Sequence, residues 1–293
     1  MITRRAFLGW LAAFTAASAG YAGAVEPALR LRVQEWDVAP ALWPRGLPLR
    51  IVAIADPHCA EPHMPLRRLE RIVARANELR GDLIVLLGDY VAGHRFISKP
   101  VPPVEIARVF GSLSAPLGVH AILGNHDWWE DPVAQARRSG PSIWHQVMAE
   151  AGVSLMENTS TRFIHRGHPF WLAGIGDPIA FLHRSGGPRG VDDFPAMRAQ
   201  ITDDAPAILL LHEPDFWPAW RDRFALSLCG HTHGGQIRLF GWSPIVPSSY
   251  GQRFAYGPIE EAGRSLVVSG GLGCSILPVR FGMPPEITVI NVT

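Results

Sequence analysis

Five short apolar segments, each followed at once by polar residues, are the feature that most constrains how this chain can fold. They are rich in Val, Ile and Leu and lie at residues 49–55, 83–87, 119–123, 207–211 and 224–228. Continuous apolar runs of this length are typical of β-strands that are buried on both faces. The sequence therefore predicts a sheet that is covered on both sides.

The connection between the first two segments predicts a helix. Residues 66–79 carry Leu, Ile, Val and Ala at helical spacing, with Pro65 at the start and Gly81 just past the end. A second helix is predicted over residues 143–151. The alternation of strand and helix indicates an α/β fold with right-handed crossovers.

The remaining segments predict a second sheet and two irregular regions. Apolar runs at residues 170–175, 265–269 and 286–292 have no comparable helix between them, which favours a second, mixed sheet. Residues 33–48 are rich in Pro and Trp and predict an extended segment that leads into the domain. The loop 178–194 contains Gly186, Gly187 and Gly190 but lacks a Gly-Lys-Ser/Thr sequence. We therefore interpret it as a surface loop rather than a phosphate-binding loop.

The first residues have the pattern of an export signal. Residues 3–8 are Thr-Arg-Arg-Ala-Phe-Leu, an apolar run continues to about residue 19, and Ala-x-Ala sites occupy 17–19 and 22–24. This pattern is typical of a secretory signal, and the paired arginines resemble a twin-arginine leader. The apolar run is shorter than the roughly 20 residues of a bilayer span, but an uncleaved anchor remains an alternative.

We therefore expect three parts: a leader over residues 1–24, the extended segment over 25–48 and one domain over 49–293. The leader implies that the export machinery carries the protein across the inner membrane, to the periplasm or cell envelope.

Composition excludes several other classes of protein. With 47% hydrophobic and 18% charged residues, the chain is too apolar to be disordered. Lys and Arg number 27 against 26 for Asp and Glu, so the charge gives no sign of a nucleic-acid partner. Three cysteines, Cys59, Cys229 and Cys274, are too few for a disulfide scaffold. Cys59 and Cys229 could approach each other, but we interpret each as a buried free thiol.

The polar residues that follow the five segments are of the types that bind metal ions. They are Asp56, His58, Asp89, Asn125, His126, His212, His231 and His233. Because ligands of open α/β sheets bind at the carboxyl ends of the strands, these side chains are expected to meet there. Oxygen and imidazole donors without thiolate suit Mn, Zn or Fe, and this set exceeds the needs of one tetrahedral ion. Two metal ions that share a carboxylate are an arrangement for hydrolysing phosphoesters.

The order of these residues resembles the calcineurin-like metallophosphoesterase superfamily. The matching sequences are Asp-x-His at 56–58, Gly-Asp at 88–89, Gly-Asn-His-Asp at 124–127, His212 and Gly-His-Thr-His at 230–233. Residues 269–273 and 280–282 are similar to those of an exported bacterial branch, the YaeI-like and YkuE-like phosphodiesterases, which is related to UDP-2,3-diacylglucosamine hydrolases. The resemblance implies a four-layer α/β/β/α sandwich with two central mixed β-sheets.

The resemblance also implies a role for each site residue. One metal ion would be held by Asp56, His58 and His233, the other by Asn125, His212 and His231, with Asp89 as the bridge. His126 is expected to protonate or stabilise the leaving group. Asp127 is expected to orient the His126 imidazole, with a simple turn cap as the alternative. Ala55, where many relatives have Ser or Thr, and Pro57 depart from the family pattern without removing a ligand.

A protein with this site is expected to hydrolyse a phosphodiester. Two cations would lower the pKa of a shared water, and the hydroxide would attack phosphorus in line. Aromatic residues follow three of the ligand motifs, at Trp128, Trp129, Phe216, Trp217, Trp220, Phe240 and Trp242. They either bury the loops or form an apolar rim for a lipid-like, cell-envelope substrate at a membrane surface. Two alternatives remain open: a pyrophosphatase acting on UDP-2,3-diacylglucosamine in lipid A synthesis, and a non-catalytic metal-binding interaction module.

Overall fold

Two six-stranded sheets form the centre of the computed structural model, which describes residues 3–182 and 189–293. The strands are β1 (Arg32–Val38), β2 (Leu49–Ile54), β3 (Ala60–Glu61), β4 (Leu83–Leu86), β5 (Lys99–Pro100), β6 (Val119–Ala121), β7 (Ser154–Leu155), β8 (Thr159–His165), β9 (His168–Gly174), β10 (Ala207–Leu210), β11 (Leu226–Cys229), β12 (Gly257–Glu261), β13 (Arg264–Val268) and β14 (Glu286–Val292). The helices are α1 (Arg4–Gly20), α2 (Glu26–Leu29), α3 (Leu66–Glu78), α4 (Pro103–Phe110), α5 (Asn125–Trp129), α6 (Pro132–Arg137), α7 (Ile143–Glu150), α8 (Phe194–Ala199) and α9 (Trp217–Trp220). The two predicted helices are present as α3 and α7, and every predicted strand is present within two residues of its expected position.

The first sheet has the strand order β1-β14-β2-β4-β6-β7. Strands β2, β4, β6 and β7 run parallel, whereas β14 runs antiparallel to β2 and parallel to β1. The segment 286–292 therefore lies in this sheet, and the prediction that placed it in the second sheet is wrong. Its sequence indicates burial on both faces, which suits an inner strand of either sheet, so its partner could not be predicted. Part of the expected extended segment also forms a strand, β1, which pairs with β14.

The second sheet has the order β12-β13-β11-β10-β9-β8. Its four central strands run parallel, and the edge strands β12 and β8 are antiparallel to their neighbours. The apolar segments at 207–211 and 224–228 belong to this sheet. The five segments that end in polar residues are therefore divided between two sheets.

Three hydrophobic cores separate four layers. The first core lies between the first sheet and helices α3, α4 and α7, and includes Leu69. The second fills the space between the two sheets, with residues such as Ile51 and Leu210. The third lies on the outer face of the second sheet, with Met197 of α8 and Trp217 of α9. This α/β/β/α sandwich confirms the predicted fold class.

Most of the aromatic residues that follow the ligand motifs pack inside the domain. Trp128 and Trp217 are fully buried, in the first and third cores. Phe216 and Trp220 stack with ring centroids 5.3 Å apart and pack against the third core. Of the two alternatives, burial of the loops therefore holds for these four residues, because the short helices after the ligands turn their aromatic faces back onto the sheets.

The N-terminal region consists of a free helix and a segment that packs on the domain. Helix α1 has no buried residue, and it continues through a π-helical turn into α2. Together, Arg4–Leu29 is long and apolar enough to cross a membrane, by length and composition. Residues 21–31, which we name the collar, contact the domain. The backbone N–H of Arg280 donates to the carbonyl of Ala22 at 2.9 Å, and buried Glu26 accepts from the backbone N–H groups of Gly282 and Met283 at 3.1 and 2.7 Å.

The loop predicted over 178–194 is described in part, since residues 183–188, including Gly186 and Gly187, lie outside the described residues. Phe181 donates its backbone N–H to the carbonyl of Arg189 at 3.0 Å, which joins the two sides of the loop. Beside this contact, Gly190 lies so close to Pro178 that a Cβ atom would collide with the backbone there. The requirement for glycine at position 190 is therefore one of packing.

Substitution of Trp217 is expected to test the burial of these aromatic residues. Trp217 is fully buried and its indole N–H donates to Ser227 Oγ at 3.1 Å. We expect Trp217→Ala to lower the free energy of unfolding by about 3–5 kcal/mol, as other large-to-small core substitutions do. Trp242→Ala, at a half-exposed position, is the matched control and should change it by less than about 0.5 kcal/mol. Urea unfolding of the full chain measures both values, and equal losses would contradict the assignment.

Candidate metal centre

The predicted ligands converge because both sheets present the carboxyl ends of their parallel strands to the same place. In the first sheet, Asp56 follows β2, Asp89 follows β4 and Asn125 follows β6. In the second sheet, His212 follows β10, and His231 and His233 follow β11. The ligand atoms of the aspartates and histidines form clusters whose members lie within 4.8 Å of one another, and Asn125 Oδ1 lies 3.0 Å from His231 Nδ1. The structure thus brings together side chains from separate parts of the chain.

The first cluster contains Asp56, His58 and His233. The Nε2 atoms of the two histidines are 3.1 Å apart, and their rings stack with centroids 4.9 Å apart. His58 Nε2 also lies 3.4 Å from Asp89 Oδ2. These atoms surround one point and could hold one cation.

The second cluster contains Asp89, His212 and His231. His212 Nε2 lies 3.3 Å from Asp89 Oδ2, and His231 Nδ1 lies 3.0 Å from Asn125 Oδ1. The same oxygen of Asp89 is therefore near both clusters. This position is the one that a bridging carboxylate needs.

Hydrogen bonds behind two of the rings direct their Nε2 atoms toward the clusters. His58 Nδ1 donates to the carbonyl of Val91 at 3.0 Å, and His212 Nδ1 donates to the carbonyl of Leu87 at 2.6 Å. A carbonyl can only accept, so Nδ1 carries a proton in both residues. Such a bond fixes the ring and leaves Nε2 free to bind a cation.

The residues fit a pair of divalent metal ions. Asp56 Oδ2 and His212 Nε2 are buried and lack a hydrogen-bond partner within the described residues, which is costly unless another group binds them. Burial lowers the pKa of His58 and His233, and that of His231 to about 3, so these rings are neutral and keep a lone pair for a metal ion.

The two aspartates differ in their electrostatic environment. Burial raises the pKa of Asp56 to about 7. Burial also opposes ionisation of Asp89, but the charges of His212 and His126 outweigh it and hold the pKa of Asp89 well below its usual range. Asp89 is therefore anionic at neutral pH, as a bridge between two cations requires.

The ligand loops are held in backbone conformations that side chains other than glycine rarely adopt. Asp56, His58, Asp89, His231 and His233 have φ angles of 51°, 43°, 57°, 69° and 53°. Such left-handed conformations are unfavourable for these residues and concentrate at functional sites. Neighbouring glycines allow the loops to approach, since a Cβ on Gly124 would lie 2.5 Å from Asp89 Oδ1.

His126 lies beside the ligands, whereas Asp127 binds the backbone of the ligand loops. The ring of His126 packs edge-on against that of His58, with centroids 4.9 Å apart. The carboxylate of Asp127 accepts from the backbone N–H groups of Asp89, Tyr90 and Gly124, each at 2.8–2.9 Å. Of the two roles predicted for Asp127, the structure therefore favours the cap, and the carboxylate also clamps two ligand loops together.

The sequence analysis missed Glu130 as the partner of His126. Glu130 Oε1 lies 3.7 Å from His126 Nδ1. Glu130 is the C-cap of α5 and lies four residues after His126, a spacing that places two side chains on the same face of a helix. This spacing could have predicted the contact from the sequence. Burial opposes protonation of His126, but Asp89 and Glu130 outweigh it, so the pKa of His126 is raised.

Arg280 supports His233 from behind. The sequence analysis identified this residue only as part of the motif at 280–282 and predicted no role for it. It is fully buried, and its guanidinium donates to the carbonyls of Gly270, Gly273 and Met283. Arg280 Nη2 also lies 3.0 Å from His233 Nδ1, so the guanidinium packs behind the ring, on the side away from His58 Nε2. The collar holds the same loop through Ala22 and Glu26.

A cleft of about 610 Å³ lies over the ligands. Its floor includes Asp89, Asn125, His126 and His231. Its walls include His94, Arg95, Phe96, Trp129, Ile179, Pro247, Ile276 and Leu277. Of the aromatic residues expected at a rim, Trp129 is therefore present in the cleft, and half of these wall residues are aliphatic. A smaller apolar pocket of about 130 Å³, lined by residues that include Ile237, Ile245 and Val279, continues from the cleft through Ile276 and Leu277.

The three cysteines do not take part in the clusters. Cys59, Cys229 and Cys274 all lie within the described residues, and all are buried and free. The interpretation of Cys59 and Cys229 as buried free thiols is confirmed, and burial raises the pKa of each thiol. The donor set is therefore nitrogen and oxygen.

Comparison with known proteins agrees with this geometry. The pattern of the family described as "Calcineurin-like phosphoesterase" matches residues 49–235. The "Uncharacterized metallophosphoesterase YkuE" of Bacillus subtilis (strain 168) is 30% identical, covering 99% of this chain and 97% of the relative. "Phosphodiesterase YaeI" of Escherichia coli (strain K12) is 28% identical over 99% of both chains. "UDP-2,3-diacylglucosamine pyrophosphatase LpxG" of Chlamydia trachomatis is 27% identical over 83% of both.

The family match, the similarity along nearly the whole chain and the clustered ligands lead to the same assignment. The chain belongs to the calcineurin-like phosphoesterase family and is an enzyme that hydrolyses phosphoric ester bonds.

Proposed function

We propose that this enzyme hydrolyses a phosphodiester with a lipid-like portion, at the cell envelope. The observation that carries the hydrolytic part is the position of Asp89 Oδ2, 3.4 Å from His58 Nε2 and 3.3 Å from His212 Nε2. One buried carboxylate oxygen between two sets of imidazoles is suited to a pair of cations. A pair of cations is in turn suited to a phosphate group, whose charge develops during hydrolysis.

Each ligand has a proposed role. Asp56, His58 and His233 hold one metal ion, Asn125, His212 and His231 hold the other, and Asp89 bridges them. When bound, the two ions lower the pKa of water and offset the negative charge of the phosphate group. Mn, Zn or Fe suits this set of nitrogen and oxygen donors.

His126 has the role of a proton donor to the leaving group. It lies on the floor of the cleft, and its raised pKa favours a protonated ring near neutral pH. Glu130 Oε1 lies 3.7 Å from its Nδ1, beyond hydrogen-bond distance, and adds a negative charge beside the ring. Asp127 acts indirectly, because it fixes the backbone of the loops that carry Asp89 and Asn125.

The apolar cleft supports a substrate with a lipid-like part. Trp129, Ile276 and Leu277 line the same cleft as the proposed ligands, and the apolar pocket extends it. A sugar nucleotide with two acyl chains is the alternative, supported by the similarity to LpxG and by Arg95 in the cleft wall. The expected export argues against this alternative, because nucleotide-linked precursors are cytoplasmic.

The proposed location is the outer face of the inner membrane or the periplasm, reached through the twin-arginine leader. Helix α1 is free of the domain and is suited either to remain as an anchor or to be removed. A cut after the Ala-x-Ala site at 17–19 would leave every collar contact in place. A cut after residue 24 would remove the Ala22 carbonyl that Arg280 binds, so we propose that the collar stays with the domain.

Substitutions of Asp89 and His126 separate metal binding from proton donation. We expect His126→Ala to keep both metal ions and to lower kcat by about 10²–10⁴-fold, the usual contribution of a general acid. Asp89→Asn should lose metal ions as well as activity, because the bridging charge is removed. Elemental analysis beside hydrolysis of a bis-aryl phosphate with Mn measures both effects. The exposed His168→Ala is the control, and an inactive His126 variant without metal ions would refute the role of His126.

Substitution of Arg280 tests the support behind His233. We expect Arg280→Met to weaken binding of one metal ion by about 10–100-fold, the usual effect of losing a residue that orients a ligand. Arg280→Lys should restore part of the metal affinity, because an ammonium keeps the positive charge. The restoration should be incomplete, because an ammonium can reach fewer of the loop carbonyls. Metal titration of the purified protein measures both, with Arg75→Met as the exposed control. Unchanged affinity for both ions in a folded Arg280→Met protein would show that the contact is only structural.

A pair of substrates tests the lipid-like portion. We expect Trp129→Ala to lower activity on a phospholipid by roughly tenfold or more, the scale of burying one large apolar group, and activity on a soluble bis-aryl phosphate much less. Equal losses on both substrates would argue against an apolar subsite. Hydrolysis of a UDP-diacyl sugar without hydrolysis of the phospholipid would favour the alternative substrate.

A further inference from the structure

A narrow hairpin beside the cleft presents apolar side chains to solvent. The backbones of Leu239 and Trp242 bond to each other at 2.8 and 2.9 Å, so Phe240 and Gly241 form the tip. Phe240 has a relative exposure of 108% and Trp242 one of 58%. Phe240 also has a φ of 51°, a conformation that is unfavourable for an aromatic residue. A fully exposed aromatic residue in an unfavourable backbone conformation suggests a binding partner outside the domain.

Neighbouring loops add to the same apolar surface. Ile245 is 71% exposed and Ile276 is 69% exposed, and Leu277 lies beside Ile276. The side chain of Gln236 ties these loops together, since it donates to the carbonyl of Leu277 at 2.7 Å. We name Leu239, Phe240, Trp242, Ile245, Ile276 and Leu277 the apolar wedge. Ile245, Ile276 and Leu277 line one apolar pocket, and Trp242 lies three residues before Ile245 in the chain. Exposed apolar groups gathered in this way mark interaction surfaces.

The base of the wedge is joined to the end of the N-terminal helix. Arg238 donates its backbone N–H to the carbonyl of Phe281 at 2.8 Å, and Ile237 pairs with the same residue. The ring of Phe281 packs edge-on against that of Tyr21, with centroids 6.0 Å apart. Tyr21 directly follows α1, the free apolar helix. The wedge and α1, the unburied part of the apolar stretch Arg4–Leu29, therefore leave the domain at the same place.

We propose that the catalytic domain docks on the surface of a lipid bilayer through the apolar wedge. Trp and Phe at a loop tip are suited to the boundary between head groups and acyl chains. A bilayer is the favoured occupant because α1 would bring one to the wedge. Ile276 and Leu277 also line the cleft with Asp89 and His126, so docking turns the metal centre toward the lipid surface. Its use in catalysis rests on the proposed lipid-like substrate, but the docking itself does not.

Fluorescent labelling at the tip tests the docking. Cys59, Cys229 and Cys274 are buried, so Phe240→Cys provides an accessible thiol for an environment-sensitive dye such as NBD. We expect the dye on the full chain, reconstituted in phosphatidylcholine vesicles, to shift to shorter wavelength and to brighten at least twofold. Lipids with a nitroxide near the head group should quench it.

The matched control carries the dye at Ile164, an exposed apolar residue of β8 that pairs with the start of β9, away from the carboxyl ends of the parallel strands. Ile164→Cys should show neither the shift nor the quenching. A dye on Trp10→Cys reports whether α1 has inserted. Insertion of α1 without a change at position 240, or equal changes at positions 240 and 164, would overturn the proposal. A shift at position 240 that needs a high protein-to-lipid ratio would instead indicate a second copy of the chain and would also overturn it.

Activity measurements keep this proposal distinct from the proposed function. Phe240→Asp with Trp242→Asp should leave hydrolysis of a soluble bis-aryl phosphate unchanged and lower, by at least fivefold, hydrolysis of a phospholipid held in vesicles. If the labelled tip reports docking and no phospholipid is hydrolysed, the substrate proposal fails and docking stands. If phospholipid is hydrolysed equally with and without the aspartates, the proposed role of docking in substrate access fails, and the labelled tip alone decides whether the wedge docks.

Discussion

The structure depends on the crowding of buried imidazoles and carboxylates around Asp89. Groups that would avoid each other inside a protein are held within 4.8 Å, and three of their atoms lack hydrogen-bond partners within the part of the chain that the structure describes. Such an arrangement is unfavourable by itself and becomes favourable when cations occupy it. The two sheets offset this unfavourable free energy, because three hydrophobic cores bury the strands whose ends carry the ligands.

The cost appears in the backbone as well as in the side chains. Five ligands adopt left-handed conformations, and nearby charged groups stabilise their loops from outside the cluster. Asp127 clamps two loops of the first sheet through backbone N–H groups, and Arg280 binds carbonyls behind His233. The collar extends this support, since Glu26 binds the backbone of the loop that carries Arg280. The N-terminal segment therefore contributes to the order of the metal centre although it lies outside the matched family region.

The sequence predicted the strands, helices and metal ligands better than it predicted which strands pair and which residues contact the ligands. Short apolar runs ending in Asp or His identify strands and site residues, because burial and chemistry are both local properties. Pairing is not local, so β14 could be predicted as a strand but was assigned to the wrong sheet. The same limit explains Asp127, whose neighbour in sequence is His126 but whose carboxylate reaches backbone groups of another loop. It also explains Arg280, whose role depends on a contact with His233 across 47 residues of chain.

The aromatic residues illustrate how position relative to the sheet decides function. Trp128 and Trp217 follow ligand motifs, and the helices in which they lie carry them into the cores. Phe240 and Trp242 follow a ligand motif too, but their segment forms a hairpin. The base of this hairpin is attached to the domain through backbone contacts of Ile237 and Arg238 with Phe281. A hairpin attached in this way has no sheet to cover its side chains, so they remain in solvent. Since that attachment point is also where the apolar helix leaves the domain, a membrane that holds the helix lies within reach of the exposed rings and of the cleft beside them.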